Sequence, residues 1–335
     1  MLKWFAAHGR ELPWRGIDDA YGIWVSEIIL QQTRIDQGTD YWHRFMERFP
    51  TVEALADATE DEVLRLWQGL GYYSRARYMH AAARQIVAQG GFPTTIEGLR
   101  GLKGVGDYTA AAVGSMAFGL PVAAVDGNVY RVLARHYGID APINTTRGKH
   151  TFEALAQELL PHDKPSDFNQ AMMDFGATWC TPRSPRCLDC PIAATCEAFR
   201  SGRVDALPVK EKKLKIQERR FSYIYIRHEG KTALRRRPAG DIWQGLWEPL
   251  FIEGEPLPDL GCPLNLLAHG VKHVLTHRVL LADFYLAEPS IVPSLPTSYQ
   301  WVDEQDIGNY ALPRLVEKLL VLLENKERPH DKGRS

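Results

Sequence analysis

A two-domain α+β chain is what this sequence predicts, with an all-α domain first and a smaller α+β domain second. Three observations carry that expectation. At 335 residues, 45% of them apolar, the chain is longer than one core usually serves. Up to about residue 204, apolar residues such as Val52, Leu55, Val63, Leu66 and Trp67 recur at three- and four-residue spacing, the period of a helix. Beyond a charged stretch, Phe221 to Ile226 alternates with period two and Val274 to Ala287 reads as strand, before Leu312 to Leu323 returns to helical spacing. The expected divisions are 1–204 for the helical domain, 205–217 for a linker, 218–325 for the second domain and 326–335 for a polar tail.

Composition narrows the class. Lys and Arg number 40 against 41 Asp and Glu, so a nucleic-acid surface has to come from local clustering of charge. The longest uncharged stretch, Tyr108 to Val125, contains Pro121 and suits a buried helix and turn better than a membrane span. The start, Met-Leu-Lys-Trp, has no signal-peptide core, and a cytoplasmic protein is expected. Four of the five cysteines fall in one short segment, which points to metal in a reducing compartment.

Taken in chain order, the first candidate is Glu27, inside Ile23-Trp24-Val25-Ser26-Glu27-Ile28-Ile29-Leu30. If that run is buried, ionising the carboxyl is costly, its pKa rises, and it can carry a proton at neutral pH. A charged residue on the wet face of an amphipathic helix is the plainer alternative. Next, Leu102-Lys103-Gly104-Val105-Gly106-Asp107 places two glycines between helical segments. Such a turn lets a phosphate approach backbone N–H groups at a helix start. Asp126, ahead of Val129, Val132 and Leu133, suits a helix N-cap, where the dipole is expected to lower its pKa and keep it anionic. One protonated acid beside one anion is an arrangement that breaks glycosidic bonds.

Cys180, Cys187, Cys190 and Cys196 follow with the spacing C-x6-C-x2-C-x5-C. Four sulfur ligands suit a tetrahedral zinc or a [4Fe–4S] cube. Arg183, Arg186, Arg200 and Arg203 surround them and offer phosphate contacts. The run Lys210 to Arg220 is a solvated tether or a DNA-backbone contact.

The cysteine spacing resembles the loop of the endonuclease III superfamily, and the glycine turn resembles the helix-hairpin-helix of DNA repair enzymes. With Leu12-Pro13-Trp14-Arg15, Ser26 to Thr33, Gly69-Leu70-Gly71-Tyr72-Tyr73 and Val125-Asp126-Gly127-Asn128, nearly the whole chain is similar to the adenine DNA glycosylase family. The resemblance implies a [4Fe–4S] cluster and excision of adenine paired with 8-oxoguanine or guanine, after the base is flipped out of double-stranded DNA. It implies Glu27 as the acid that protonates adenine N7, and Asp126 as the group that stabilises the sugar cation, with Asn128 and Tyr108 beside it. Leu12, Trp14, Arg15 and Gln170 match the adenine pocket. Gln32 and Tyr72 match residues inserted into the base stack, and Gly104, Val105 and Gly106 match the phosphate-gripping hairpin. Tyr108 stands where strand-cleaving relatives carry a lysine, so no efficient lyase activity is expected.

Gly240 to Glu248 resembles the Nudix (MutT-like) domain of the same family. The nearby Glu248, Glu253 and Glu255 lack the spacing that holds magnesium for hydrolysis, so a recognition module is expected. Its implied 8-oxoguanine contacts are Thr276 and His277, where Leu275-Thr276 departs from the family's Phe-Ser. Cys262 reads as an ordinary small apolar residue. The resemblance further implies a monomer at a bacterial nucleoid, with a sliding clamp or an abasic-site endonuclease as partners. The competing functions are a bifunctional glycosylase/lyase, a non-catalytic iron–sulfur DNA-binding protein and a nucleotide diphosphate hydrolase.

Overall fold

The computed structural model describes residues 1–211, 217–275 and 277–327. They form two compact units, Met1–Asp57 with Tyr78–Lys212, and Ala58–Arg77 with Lys213–Ser335. Contacts far apart in sequence bring 58–77 into the second unit. Arg236 reaches Glu60 and Asp61 at 2.8 and 3.1 Å, and Arg65 donates to the Tyr310 carbonyl at 3.3 Å.

The helices, in order, are α1 (Leu2–His8), α2 (Ala20–Leu30), α3 (Ile35–Arg48), α4 (Val52–Asp57), α5 (Glu60–Trp67), α6 (Ser74–Ala88), α7 (Ile96–Arg100), α8 (Asp107–Phe118), α9 (Gly127–Tyr137), α10 (Thr146–Leu159), α11 (Pro165–Thr178) and α12 (Glu197–Arg200). Their ends carry the expected chemistry. Asp19 caps α2, a Thr59/Glu62 capping box opens α5, and Gly119 and Gly138 end α8 and α9 in the left-handed conformation. In the helical unit α2 packs on α3 and α8, and α11 packs on α8 and α9. Every residue of α2 from Tyr21 to Ile29 is buried. A helix apolar on all sides is a central one, and a carboxylate on it is enclosed with it.

The second unit holds β1 (Gln217–His228), β2 (Lys231–Arg236), β3 (Trp247–Glu248), β4 (Leu250–Ile252), β5 (Leu264–Val274), β6 (Arg278–Ala287), β7 (Tyr299–Asp303) and α13 (Arg314–Glu327). The sheet runs β3-β2-β1-β6-β5, with β4 beside β1 and β7 beside β2. β1 and β6 are parallel, with Tyr223 opposite Phe284, and the remaining pairs are antiparallel. Leu315, Val316, Leu319 and Leu323 of α13 close one face over Phe221, Tyr223 and Phe284. Cys262 packs with the small cluster around Ile224, Ile226 and Leu250, as an apolar residue would.

Two expectations need correction. The strand expected over 274–287 is two strands, because β5 ends at Val274 and β6 begins at Arg278, with Leu275 and Arg278 exchanging backbone hydrogen bonds across the turn. The linker is no solvated tether as far as Glu211. Leu207 is buried, the Val209 carbonyl accepts from Ile143 N–H at 3.0 Å, and the Asn144 side chain brackets the Glu211 backbone at 2.8 and 2.9 Å. The expected linker's last charged part, 212–216, lies outside the described residues, as does most of the polar tail. Among the described residues no helix is long and apolar enough to cross a membrane.

Candidate active site

One cavity of about 500 Å³ in the helical unit is lined by Glu27, Tyr108, Asp126 and Asn128 and by Leu12, Trp14, Arg15, Gln32 and Gln170. The candidate catalytic and adenine-pocket residues therefore share one space. Its volume lies within the range of about 300–1,000 Å³ of sites that enclose small organic ligands.

The residues arrive on several elements. α2 delivers Glu27, which is 7% exposed. Burial pushes its pKa up to about 7; the nearby Asp126 pushes the same way, while the Tyr108 hydrogen bond and Arg15 oppose it. Tyr108, on the first turn of α8, donates its hydroxyl to Glu27 Oε2 at 2.9 Å and contacts Met173 Sδ at 3.7 Å. Burial and the two carboxylates hold that phenol protonated, well above its ordinary pKa.

Asp126 is the N-cap of α9, as expected. Its Oδ1 accepts from the Asn128 and Val129 N–H groups at 2.9 and 2.8 Å, and its Oδ2 accepts from Asn128 Nδ2 at 2.6 Å. The expected lowering of its pKa is not what results. Burial raises it, and the three hydrogen bonds and Arg131 offset only part of that. The anion is nevertheless the form that all three donors match, since a protonated carboxyl forfeits acceptor capacity.

Arg15 lines the cavity, but its guanidinium is committed. It donates to both oxygens of Asp174 at 2.7 and 2.8 Å and to the Arg10 carbonyl at 2.7 Å. Arg10 holds the same carboxylate, whose side chain is fully buried. Burial works against the charge on Asp174, yet the two arginines win and hold its pKa below the ordinary value. Gln170 Nε2 donates to Ser166 Oγ at 3.0 Å, and Trp14 is buried against Trp42, with ring centroids 5.9 Å apart.

The two residues expected to enter the base stack both hold left-handed backbone, Gln32 at φ 58° and Tyr72 at φ 46°. A side-chain-bearing residue there is strained, and such strain concentrates at functional positions. Tyr72 is 46% exposed whereas Tyr73 is buried, which separates a surface ring from a core residue. In the hairpin, Gly104 has φ 77°, and a Cβ there would meet Tyr78 Cβ at 2.6 Å. Val105 is buried, and Gly106 caps α8 with open space around it and no side-chain cap bond. The first N–H groups of α8 can thus take an outside acceptor.

Cys180, Cys187, Cys190 and Cys196 line a second cavity of the same unit. Burial first, then the neighbouring thiols, raise the pKa of Cys187 and Cys190. Among the described residues no three metal-binding side chains are gathered tightly enough for a single ion. Four sulfurs lining one space are a donor set that suits either a tetrahedral zinc or a [4Fe–4S] cube. Three of the four flanking arginines are engaged elsewhere: Arg186 stacks on Trp179 at 3.8 Å, Arg200 pairs with Glu197 and Arg203 with Asp140.

The arginine at the sulfur is one the sequence reading missed. Arg135 on α9 donates to Cys180 Sγ at 3.4 Å and to the Thr181 carbonyl at 2.7 Å. One turn earlier Arg131 donates to Asn128 Oδ1 at 2.8 Å and to the Cys180 carbonyl at 2.7 Å. Their four-residue spacing after Asp126 was the available signal. In the second unit, His277 is exposed and its carbonyl accepts from Gln217 N–H at 3.2 Å, while Leu275 packs on the core. Thr276 lies outside the described residues.

Residues 25–162 match the HhH-GPD superfamily of base excision DNA repair proteins, and residues 222–322 match the NUDIX domain. An adenine DNA glycosylase of Buchnera aphidicola (subsp. Acyrthosiphon pisum) is 31% identical over 96% of this chain and 95% of its own. The mouse and human adenine DNA glycosylases are 43% and 44% identical over 62% and 59% of this chain, which spans only 43% and 38% of their lengths. A thermostable thymine-DNA glycosylase superposes with a TM-score of 0.55 at 30% identity, over 60% of this chain and 93% of its own. An endonuclease III from a non-covalent DNA complex shares the fold, with a TM-score of 0.52 at 24% identity, over 60% and 92%.

Proposed function

The chain belongs to the adenine DNA glycosylase family, and on that premise we propose that it hydrolyses the N-glycosidic bond of adenine opposite 8-oxoguanine or guanine in duplex DNA, without cutting the strand. The observation that carries this reading is one cavity holding a glutamate poised near neutrality, its pKa at about 7, and an aspartate fixed by three donors.

In this reading the flipped adenine enters beside Leu12, Trp14 and Gln170. Glu27 gives its proton to N7, so that the base leaves neutral instead of as an anion. Positive charge then develops on the sugar, facing the Asp126 carboxylate. Water adds to C1′ and passes a proton to the ionised Glu27, which restores the acid. The donors on Asp126 hold it in place without a change of partner, the preorganised form of charge stabilisation. Tyr108 orients Glu27. A phenol has no amine to form a Schiff base, and among the described residues lining the cavity there is no lysine.

The four cysteines would hold a [4Fe–4S] cluster, which when bound supplies a covalent cross-link for the loop from Cys180 to Cys196. In the second unit, Glu248 is bound to Arg235 and Arg237, and Glu253 to Arg219. These commitments leave the two glutamates tied to arginines instead of open to magnesium, and in this reading the unit instead reads the base opposite adenine, through Thr276 and His277.

The test uses a duplex with one adenine opposite 8-oxoguanine, incubated with wild type or Glu27→Gln and developed with or without alkali. Strand breaks only after alkali and only with wild type are expected. Breaks without alkali would replace this reading with a glycosylase/lyase, and no base release would leave a DNA-binding protein.

A further inference from the structure

Glu317 and Lys318 are neighbours on α13, yet they hold two different segments of the second unit. Gln68 Nε2 donates to Glu317 Oε1, and Lys318 Nζ donates to the backbone carbonyl of Lys272 at 3.3 Å. Gln68 is the C-cap of α5 and opens the turn that leads to Tyr72. Lys272 stands near the end of β5, just before Leu275 and His277. Glu317 is itself steadied by Arg314 at 2.6 Å.

The turn transmits a displacement of Gln68 instead of absorbing it. Trp67 Nε1 donates to the Gly71 carbonyl at 2.9 Å, closing the loop on the helix that precedes it. The Arg75 guanidinium lies over the rings of both Trp67 and Tyr72, 4.8 and 5.7 Å from their centroids, and donates to the carbonyls of Leu70 and Gly71 at 3.3 Å. At the other end of α5, Glu60 and Asp61 are pinned by Arg236 of β2. A short segment fastened at both ends and braced internally moves as one piece with the body that holds it.

We propose that α13 is a spacer that fixes the separation between the Tyr72 wedge and the Lys272–Leu275 segment, with Gln68 and Glu317 as positioning residues for selectivity toward 8-oxoguanine. The proposal rests on the adenine glycosylase reading. A wedge rigidly linked to the reading segment inserts favourably only when the base opposite adenine also satisfies that segment. Contacts at the two places are then energetically coupled.

The experiment uses the full-length protein with its metal content checked, and compares wild type, Gln68→Leu, Glu317→Leu and the exchange Gln68→Glu with Glu317→Gln. The exchange reverses donor and acceptor while leaving an oxygen for Arg314. Single-turnover release from A:8-oxoguanine and A:G duplexes gives the selectivity. Fluorescence of 2-aminopurine beside the mispair, in a duplex with a non-hydrolysable adenine analogue, reports stack opening without chemistry. Each single variant should lower the selectivity ratio about tenfold and weaken the fluorescence change, and the exchange should restore both.

An unchanged ratio in folded single variants, or an exchange that restores neither readout, overturns the proposal. If the single variants do not fold, Lys318→Met decides: a lowered ratio supports the spacer and an unchanged one overturns it. A wild type that releases no adenine would defeat the functional reading instead, and the fluorescence comparison would still judge the spacer.

Discussion

Glu27 in the helical unit and Glu248 in the sheet unit are both buried glutamates whose pKa burial raises. Glu27 faces a cavity of about 500 Å³ and has one close hydrogen-bond partner, a neutral phenol. Glu248 is fully buried between Arg235, at 3.0 Å, and Arg237. A buried carboxyl whose close hydrogen bond comes from a phenol and not from a cation, with open space before it, can exchange its proton with a ligand. One clasped by two guanidiniums is a fixed part of the core, strongly destabilising when a partner is removed. Burial is common to both, and the partners and the adjoining space separate acid from strut.

The largest effect should come from Glu27→Gln, which keeps the size and removes the proton. Base release should fall about ten-thousandfold, with denaturation scarcely changed. Loss of fold in place of activity would break the contrast. Glu248→Gln is the mirror experiment. Leaving two arginines undercompensated should cost about 3 kcal/mol in denaturant unfolding, and a variant as stable as wild type would show that Glu248 is no strut. Asp126→Asn preserves the cap but not the charge, so DNA binding should persist while base release drops about a hundredfold.

The smallest effect sharpens the account of Glu27. In the proposed mechanism its protonated form is the active one, so single-turnover rates should decline as pH rises above about 7. The Tyr108 hydrogen bond lowers that pKa, so Tyr108→Phe should move the alkaline limb to higher pH, and a shift to lower pH would contradict the assigned geometry. Stability follows the same sign. The raised pKa of Glu27 contributes stability fully present below 4.5 and lost as pH rises through about 7, and Glu27→Gln should remove that dependence.

Much of the site was legible in advance because its signals are local. The apolar run around Glu27 suited a buried helix, the position of Asp126 implied a cap, and Gly104 of the hairpin stood where positive φ and close approach demanded a glycine. The strand over 274–287 was read too long because period two continues on both sides of a tight turn, so alternation alone does not mark the break. The linker was misread for a related reason. Its charge is a local property, but Leu207, Val209 and Glu211 are held by Arg135, Ile143 and Asn144, far away in sequence.

By itself, the sequence determined the helical first domain, the mixed second one, the cysteine loop and the identities of the two carboxylates. Each follows from residue type and short-range spacing, which set helical turns, strand alternation and caps before any tertiary contact exists. Tertiary structure alone decided that 58–77 packs with the C-terminal unit, that Arg135 and not the flanking arginines meets a cysteine sulfur, and that burial outweighs the cap at Asp126. Those outcomes depend on which distant groups share a dehydrated space. There, charge and hydrogen-bond energies are set by enclosure and three-dimensional neighbours, not by order along the chain.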